Sequence, residues 1–96
     1  MKIAIAQISP VFLDRERTLA KAIRSVEDAA RAGASLICFG ETLVPAYPFW
    51  LARTDGARWN APDQKELHAL YVDQSVALGP GDDPGHLKAL SETARN

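Results

Sequence analysis

With one cysteine in 96 residues, the chain has no partner for an internal disulfide and no metal site built on paired cysteines. It also lacks an excess of either charge. Eleven Lys and Arg stand against twelve Asp and Glu, a formal net charge of -1. That balance raises no field to gather nucleic acid or an anionic membrane, so neither is expected as a partner. No apolar run approaches the roughly 20 residues that a membrane-spanning helix needs. The N-terminus offers one Lys and a short Ile/Ala run interrupted by Gln7, a poor secretory signal. Internal repeats and low-complexity tracts are missing too. What is there is ordinary globular composition, 47% hydrophobic and 24% charged, which argues against disorder. A soluble, cytoplasmic chain of one small domain or less is expected. At this length only about 60–65% of the unfolded surface is buried on folding.

Residues 2–8 form an apolar run, Ile3 and Ile5 alternating with Ala4 and Ala6, which suits an interior strand. Ser9-Pro10 ends it, because proline supplies no ladder donor. Asp14 can cap a helix and Gly33 can close one. Between them Leu19, Ala22, Ile23, Val26 and Ala30 recur at helical spacing, and charged residues take the rest of the cylinder. A second short apolar run, residues 34–39, is of strand length. Strand, helix, strand predicts a βαβ unit with adjacent parallel strands over 2–8 and 34–40 and a helix near 14–32. Residues 42–62 hold Pro45, Pro48 and Pro62 and four of the seven aromatic residues, which predicts a long ordered loop. A helix is expected from about Asp63 to Val76, with Leu67, Leu70 and Tyr71 on one stripe. Gly79-Pro80-Gly81 breaks it. Asp83 then caps and Pro84 opens a final helix bearing Leu87, Leu90 and Ala94.

Ligands of open α/β folds bind beyond the carboxyl ends of the strands, and Glu41 is the one ionisable group placed there. Apolar residues before it and aromatic ones after it suit a partly desolvated carboxylate acting as a base. A solvated loop carboxylate, or one half of an ion pair, fits the same position. Cys38 invites pairing with Glu41 as nucleophile, but positions three apart on a strand face opposite ways and lie roughly 10 Å apart. Within its apolar run Cys38 is expected to be buried and inert. His68 and His86 fall on different expected helices without a second ligand at metal spacing, so solvated positions are expected for both. Gly79, Gly81 and Gly85 follow no strand and match no phosphate-loop pattern. Tyr47, Phe49 and Trp50 cluster straight after Glu41, which favours a substrate pocket over separate core positions.

The run Leu-Ile-Cys-Phe-Gly-Glu-Thr-Leu-Val-Pro-Ala-Tyr-Pro-Phe-Trp, residues 36–50, resembles the first catalytic motif of the nitrilase superfamily of carbon–nitrogen hydrolases. The opening Lys2-Ile-Ala-Ile-Ala-Gln7 resembles it as well. Tyr47-Pro48-Phe49-Trp50 looks more like the nitrilase and cyanide-hydrolysing branch than the amidase branches, and Leu70-Tyr71 and Ser75-Val76 fit that branch. Two positions depart from the family pattern. Gly40 stands where proline is usual, and Ala46 where glycine is usual. Neither removes a reacting group, but both bear on backbone geometry, since Ala46 resists a positive φ.

The resemblance implies an α-β-β-α sandwich, of which residues 1–96 would be the incomplete N-terminal βαβ portion of a single domain. It implies a mechanism built on a Glu, a Lys and a Cys, with Glu41 as the base and with Tyr47, Phe49 and Trp50 lining the substrate pocket. Lys2, Lys21, Lys65 and Lys88 match no motif, and Cys38 corresponds to a strand position before the Glu. The catalytic Lys and Cys are therefore expected beyond Asn96, and these 96 residues alone are expected to be inactive. The implied reaction converts a small-molecule nitrile to a carboxylic acid and ammonia without metal or organic cofactor, in nitrogen compound metabolism. A homo-oligomer is implied for the complete enzyme. An amidase of the same superfamily and a non-catalytic association module are the alternatives.

Overall fold

The computed structural model describes residues 1–78 and 85–96. Two short strands come first, β1 (Ile3–Ala6) and β2 (Leu36–Phe39), with helix α1 (Arg15–Arg31) between them in sequence. The strands pair in parallel, Ile3 opposite Leu36 through Ala6 opposite Phe39, so the expected βαβ unit is present, with both strands shorter than the apolar runs that encode them. A one-turn helix α2 (Trp50–Arg53) interrupts the expected loop over 42–62, and α3 (Pro62–Asp73) and α4 (Lys88–Arg95) follow.

Both ends of α1 are fixed by local chemistry. The Asp14 carboxylate accepts the Arg17 N–H at 2.9 Å, satisfying one of the orphan donors of the first turn. At the other end Gly33 adopts φ +80°; its N–H reaches the Ala30 carbonyl at 2.8 Å and that of Ala34 reaches the Ala29 carbonyl at 2.9 Å. This is the Schellman arrangement, which needs a left-handed residue at that point. Lys2 Nζ donates to the Ala32 carbonyl at 2.6 Å and the Ser35 N–H to the Lys2 carbonyl at 2.8 Å, joining the helix end to the sheet. Thr18, Ala22 and Val26, four residues apart, are the buried residues of α1. α4 packs against α1, and a cleft of about 510 Å³ between them is lined by Val26, Ile37 and Ala94.

Ala4, Ala6, Ile37 and Phe39 are half-buried on one face of the sheet, and Ile37 among them lines this cleft. On the other face Ile3, Ile5, Leu36 and Cys38 are exposed, Ile5 to 77%. The expected burial of Cys38 is thereby corrected. Its apolar run does form a strand, but a two-stranded sheet alternates its side chains, and nothing described here lies over that second face.

α3 starts one residue earlier than expected, with Pro62 in the first turn where its missing N–H goes unneeded, and ends at Asp73 rather than Val76. Of its expected stripe, Leu67 and Tyr71 are half-buried, whereas Leu70 is 44% exposed. Arg58 pairs with Asp63 at 2.5 Å, and that hydrogen bond holds the Asp63 carboxyl below the usual carboxylate range. The expected breaker Gly79-Pro80-Gly81 and the cap Asp83-Pro84 lie outside the described residues. The final helix itself begins at Lys88, four residues beyond the expected start at Pro84. Gly85 at φ +74° is incompatible with a helix running through it.

Candidate active site

Glu41 lies two residues beyond β2, in a turn spanning residues 41–45. That is the strand-end position the sequence marks out, but the side chain is exposed rather than desolvated, and it pairs with no side chain among the described residues. The chain turns sharply just after it. Thr42 adopts φ +55° and its hydroxyl donates to the Glu41 carbonyl at 2.7 Å. Gly40, before it, has open space where a Cβ would stand, so that position tolerates a side chain without a clash.

The segment following Glu41 is anchored more firmly than Glu41 itself. Pro45 is fully buried and Ala46 is 3% exposed. The Leu13 N–H donates to the Pro45 carbonyl at 3.1 Å, binding this segment to the turn that precedes α1. Ala46 holds φ +106°, a left-handed conformation that glycine adopts freely and alanine does not.

The three aromatic residues after it part company. Tyr47 is 68% exposed. Phe49 stacks on Phe12 with ring centroids 4.5 Å apart and carries the Arg53 guanidinium 5.5 Å from its centroid. Trp50 is buried, 6.3 Å from the Phe12 ring and 5.2 Å from the Tyr71 ring, and its indole N–H has no partner within the described structure. Phe49 and Trp50 thus belong to an aromatic cluster that joins α2 and α3 to the turn before α1. Three clefts described here are lined by other residues, none by Glu41, Tyr47, Phe49 or Trp50.

Residues that sequence patterning passed over hold this region together. The Thr18 hydroxyl accepts the Val11 N–H and donates to the Val11 carbonyl, both at 3.0 Å. The Arg15 N–H donates to Gln74 Oε1 at 3.0 Å, while the Arg15 guanidinium donates to the Asp73 and Ser75 carbonyls at 2.6 and 3.0 Å, fastening the end of α3 to the start of α1. Thr18 carried a usable signal, since it stands four residues before Ala22 on the apolar stripe. Phe12 and Arg15 carried none, because their partners are dozens of residues away.

His68 is exposed on α3, and His86 precedes α4 rather than lying on it, its Nδ1 accepting the Ala77 N–H at 3.2 Å. Among the described residues no three His, Cys, Asp or Glu gather in one place, and no helix is long and apolar enough to cross a membrane.

Residues 2–95 match the model of the carbon-nitrogen hydrolase family. The chain is 41% identical over its full length to a nitrilase of Pseudomonas syringae, covering 26% of that protein. It is 33% identical over 96% of its length to an arylacetonitrilase of Aspergillus oryzae, again covering 26% of the relative. With an aliphatic nitrilase of Rhodococcus rhodochrous it shares 37% identity over 82% of its length, or 20% of the relative. The chain thus spans about a quarter of the length of the curated relatives it matches. No solved structure matches it.

Proposed function

The chain belongs to the carbon-nitrogen hydrolase family, and on that premise we propose that it is the N-terminal portion of a nitrile-hydrolysing enzyme in which Glu41 is the general base. One observation supports this above the others. The likeness to proteins named nitrilases runs through all 96 residues, and the motif holding Glu41 stands at the carboxyl end of a parallel strand. The relatives' names include an arylacetonitrilase and an aliphatic nitrilase, so the substrate class proposed is the nitrile group itself, borne by either skeleton.

In the complete enzyme Glu41 takes the proton of a cysteine thiol as the sulfur adds to the nitrile carbon, giving a thioimidate. A lysine stabilises charge on the substrate nitrogen. Water activated by Glu41 then displaces ammonia and leaves a thioester, and a second water releases the carboxylic acid and restores the thiol. Two waters are consumed for each nitrile. As the family resemblance implies, the Lys and Cys come from segments outside these 96 residues: Lys2, Lys21, Lys65 and Lys88 match no family motif, and Cys38 lies within β2, before the Glu. We place this enzyme in nitrogen compound metabolism as a cytoplasmic homo-oligomer acting without cofactor.

The test is ammonia release by the purified full-length protein supplied with an aryl nitrile, an aliphatic nitrile and the corresponding amides. Turnover of a nitrile is expected. Turnover of amides alone would replace this activity with that of an amidase, and release from neither would remove the enzymatic role.

A further inference from the structure

We infer that Thr18 is a positioning residue for Glu41, acting through the turn at residues 11–14; this rests on the role proposed for Glu41 above. Thr18 is fully buried, and its hydroxyl makes a closed pair of hydrogen bonds with Val11, taking its N–H and giving to its carbonyl. A second donor, the Asp14 N–H, reaches the same Val11 carbonyl at 3.1 Å, and the Asp14 carbonyl accepts the Thr18 N–H at 3.1 Å. The turn is therefore welded to the first turn of α1, and Leu13 within it holds φ +51°.

This turn is what the segment after Glu41 rests upon. Its backbone contributes the Leu13 N–H to the Pro45 carbonyl, and its side chain Phe12 stacks on Phe49 and meets the Trp50 ring. Pro45 lies four residues after Glu41, and no side chain among the described residues holds the Glu41 carboxylate directly. Its placement therefore depends on β2 before it and on the anchored segment after it. The route from Thr18 to Glu41 consists of one side-chain pair, one rigid turn and one backbone hydrogen bond.

Removing the hydroxyl without changing shape isolates the effect. Thr18→Val keeps the branched side chain and leaves the Val11 N–H without its partner. Thr18→Ser keeps both hydrogen bonds. In the full-length enzyme Thr18→Val is expected to lower kcat about 10–100-fold with KM within about twofold, because a misplaced base costs transition-state stabilisation and not binding. The pH profile of kcat is expected to change shape, and Thr18→Ser to restore at least about half of the wild-type kcat. A wild-type kcat and pH profile in folded Thr18→Val overturns the proposal. If Thr18→Val does not fold, Phe12→Leu, which loosens the same turn while leaving Thr18 intact, carries the same expectation, and an unchanged kcat in it has the same force. Glu41→Gln is measured alongside. Inactive Glu41→Gln with unaffected Thr18→Val sinks the positioning role alone, whereas active Glu41→Gln removes the base on which it rests.

Discussion

Ala46 is the residue at which this chain's local sequence conflicts most plainly with its fold. A buried alanine at φ +106° carries a backbone penalty on the order of 1–3 kcal/mol, and the family pattern that residues 36–50 resemble usually has glycine there. Replacing it by glycine removes that penalty, loses a buried methyl worth about 0.8 kcal/mol, and frees the unfolded chain. The strain term prevails. Ala46→Gly is expected to stabilise the full-length protein by roughly 0.5–1 kcal/mol, read as a raised melting temperature, and a lowered one would show that the methyl's packing governs instead. Cys38 poses a separate question, because its exposure makes it a candidate nucleophile on accessibility alone. Its place on the strand, before the turn that holds Glu41, argues for a residue outside the chemistry. Cys38→Ala in the full-length protein should keep ammonia release within about twofold of wild type, since no covalent intermediate forms on it. Loss of turnover with the fold intact would make Cys38 the nucleophile.

The element that sequence describes best is α1, because everything that defines it is local. Asp14, the 3.6-residue periodicity and Gly33 sit within one stretch of chain; Asp14 and Gly33 cap and close the helix as expected, and of the stripe Ala22 and Val26 are buried, Leu19 and Ile23 half-buried and only Ala30 exposed. Gly33→Ala should destabilise the protein by about 1–2 kcal/mol, since φ +80° puts the added Cβ against its own backbone. An unchanged melting curve would mean that the helix end rearranges freely. The strands were legible in kind and order but not in exposure. An apolar run encodes a strand with two apolar faces, and whether both are covered depends on partners that the run does not specify. The aromatic residues after Glu41 were legible as a group and not as a site. Their neighbours Phe12 and Tyr71 come from remote segments, so clustering in sequence could not show that Phe49 and Trp50 pack together while Tyr47 turns to solvent. The same holds for the Arg15–Gln74 fastening, whose two halves are linked only by tertiary structure.

On the scale of the whole molecule, a parallel βαβ unit places one carboxylate at a strand end, and a buried segment behind it is tied to the start of α1. A two-stranded sheet with one apolar face exposed is marginal in isolation, which agrees with a portion of a larger hydrolase fold. Membership in the carbon-nitrogen hydrolase family gives that carboxylate its proposed task. The most direct measurement is therefore ammonia release from a nitrile by full-length wild type beside full-length Glu41→Gln, with folding of both verified by thermal melting. The glutamine keeps the shape and removes the base, so turnover should fall by at least about a thousandfold while the melting temperature stays within about two degrees. Near-wild-type release by Glu41→Gln would contradict the account.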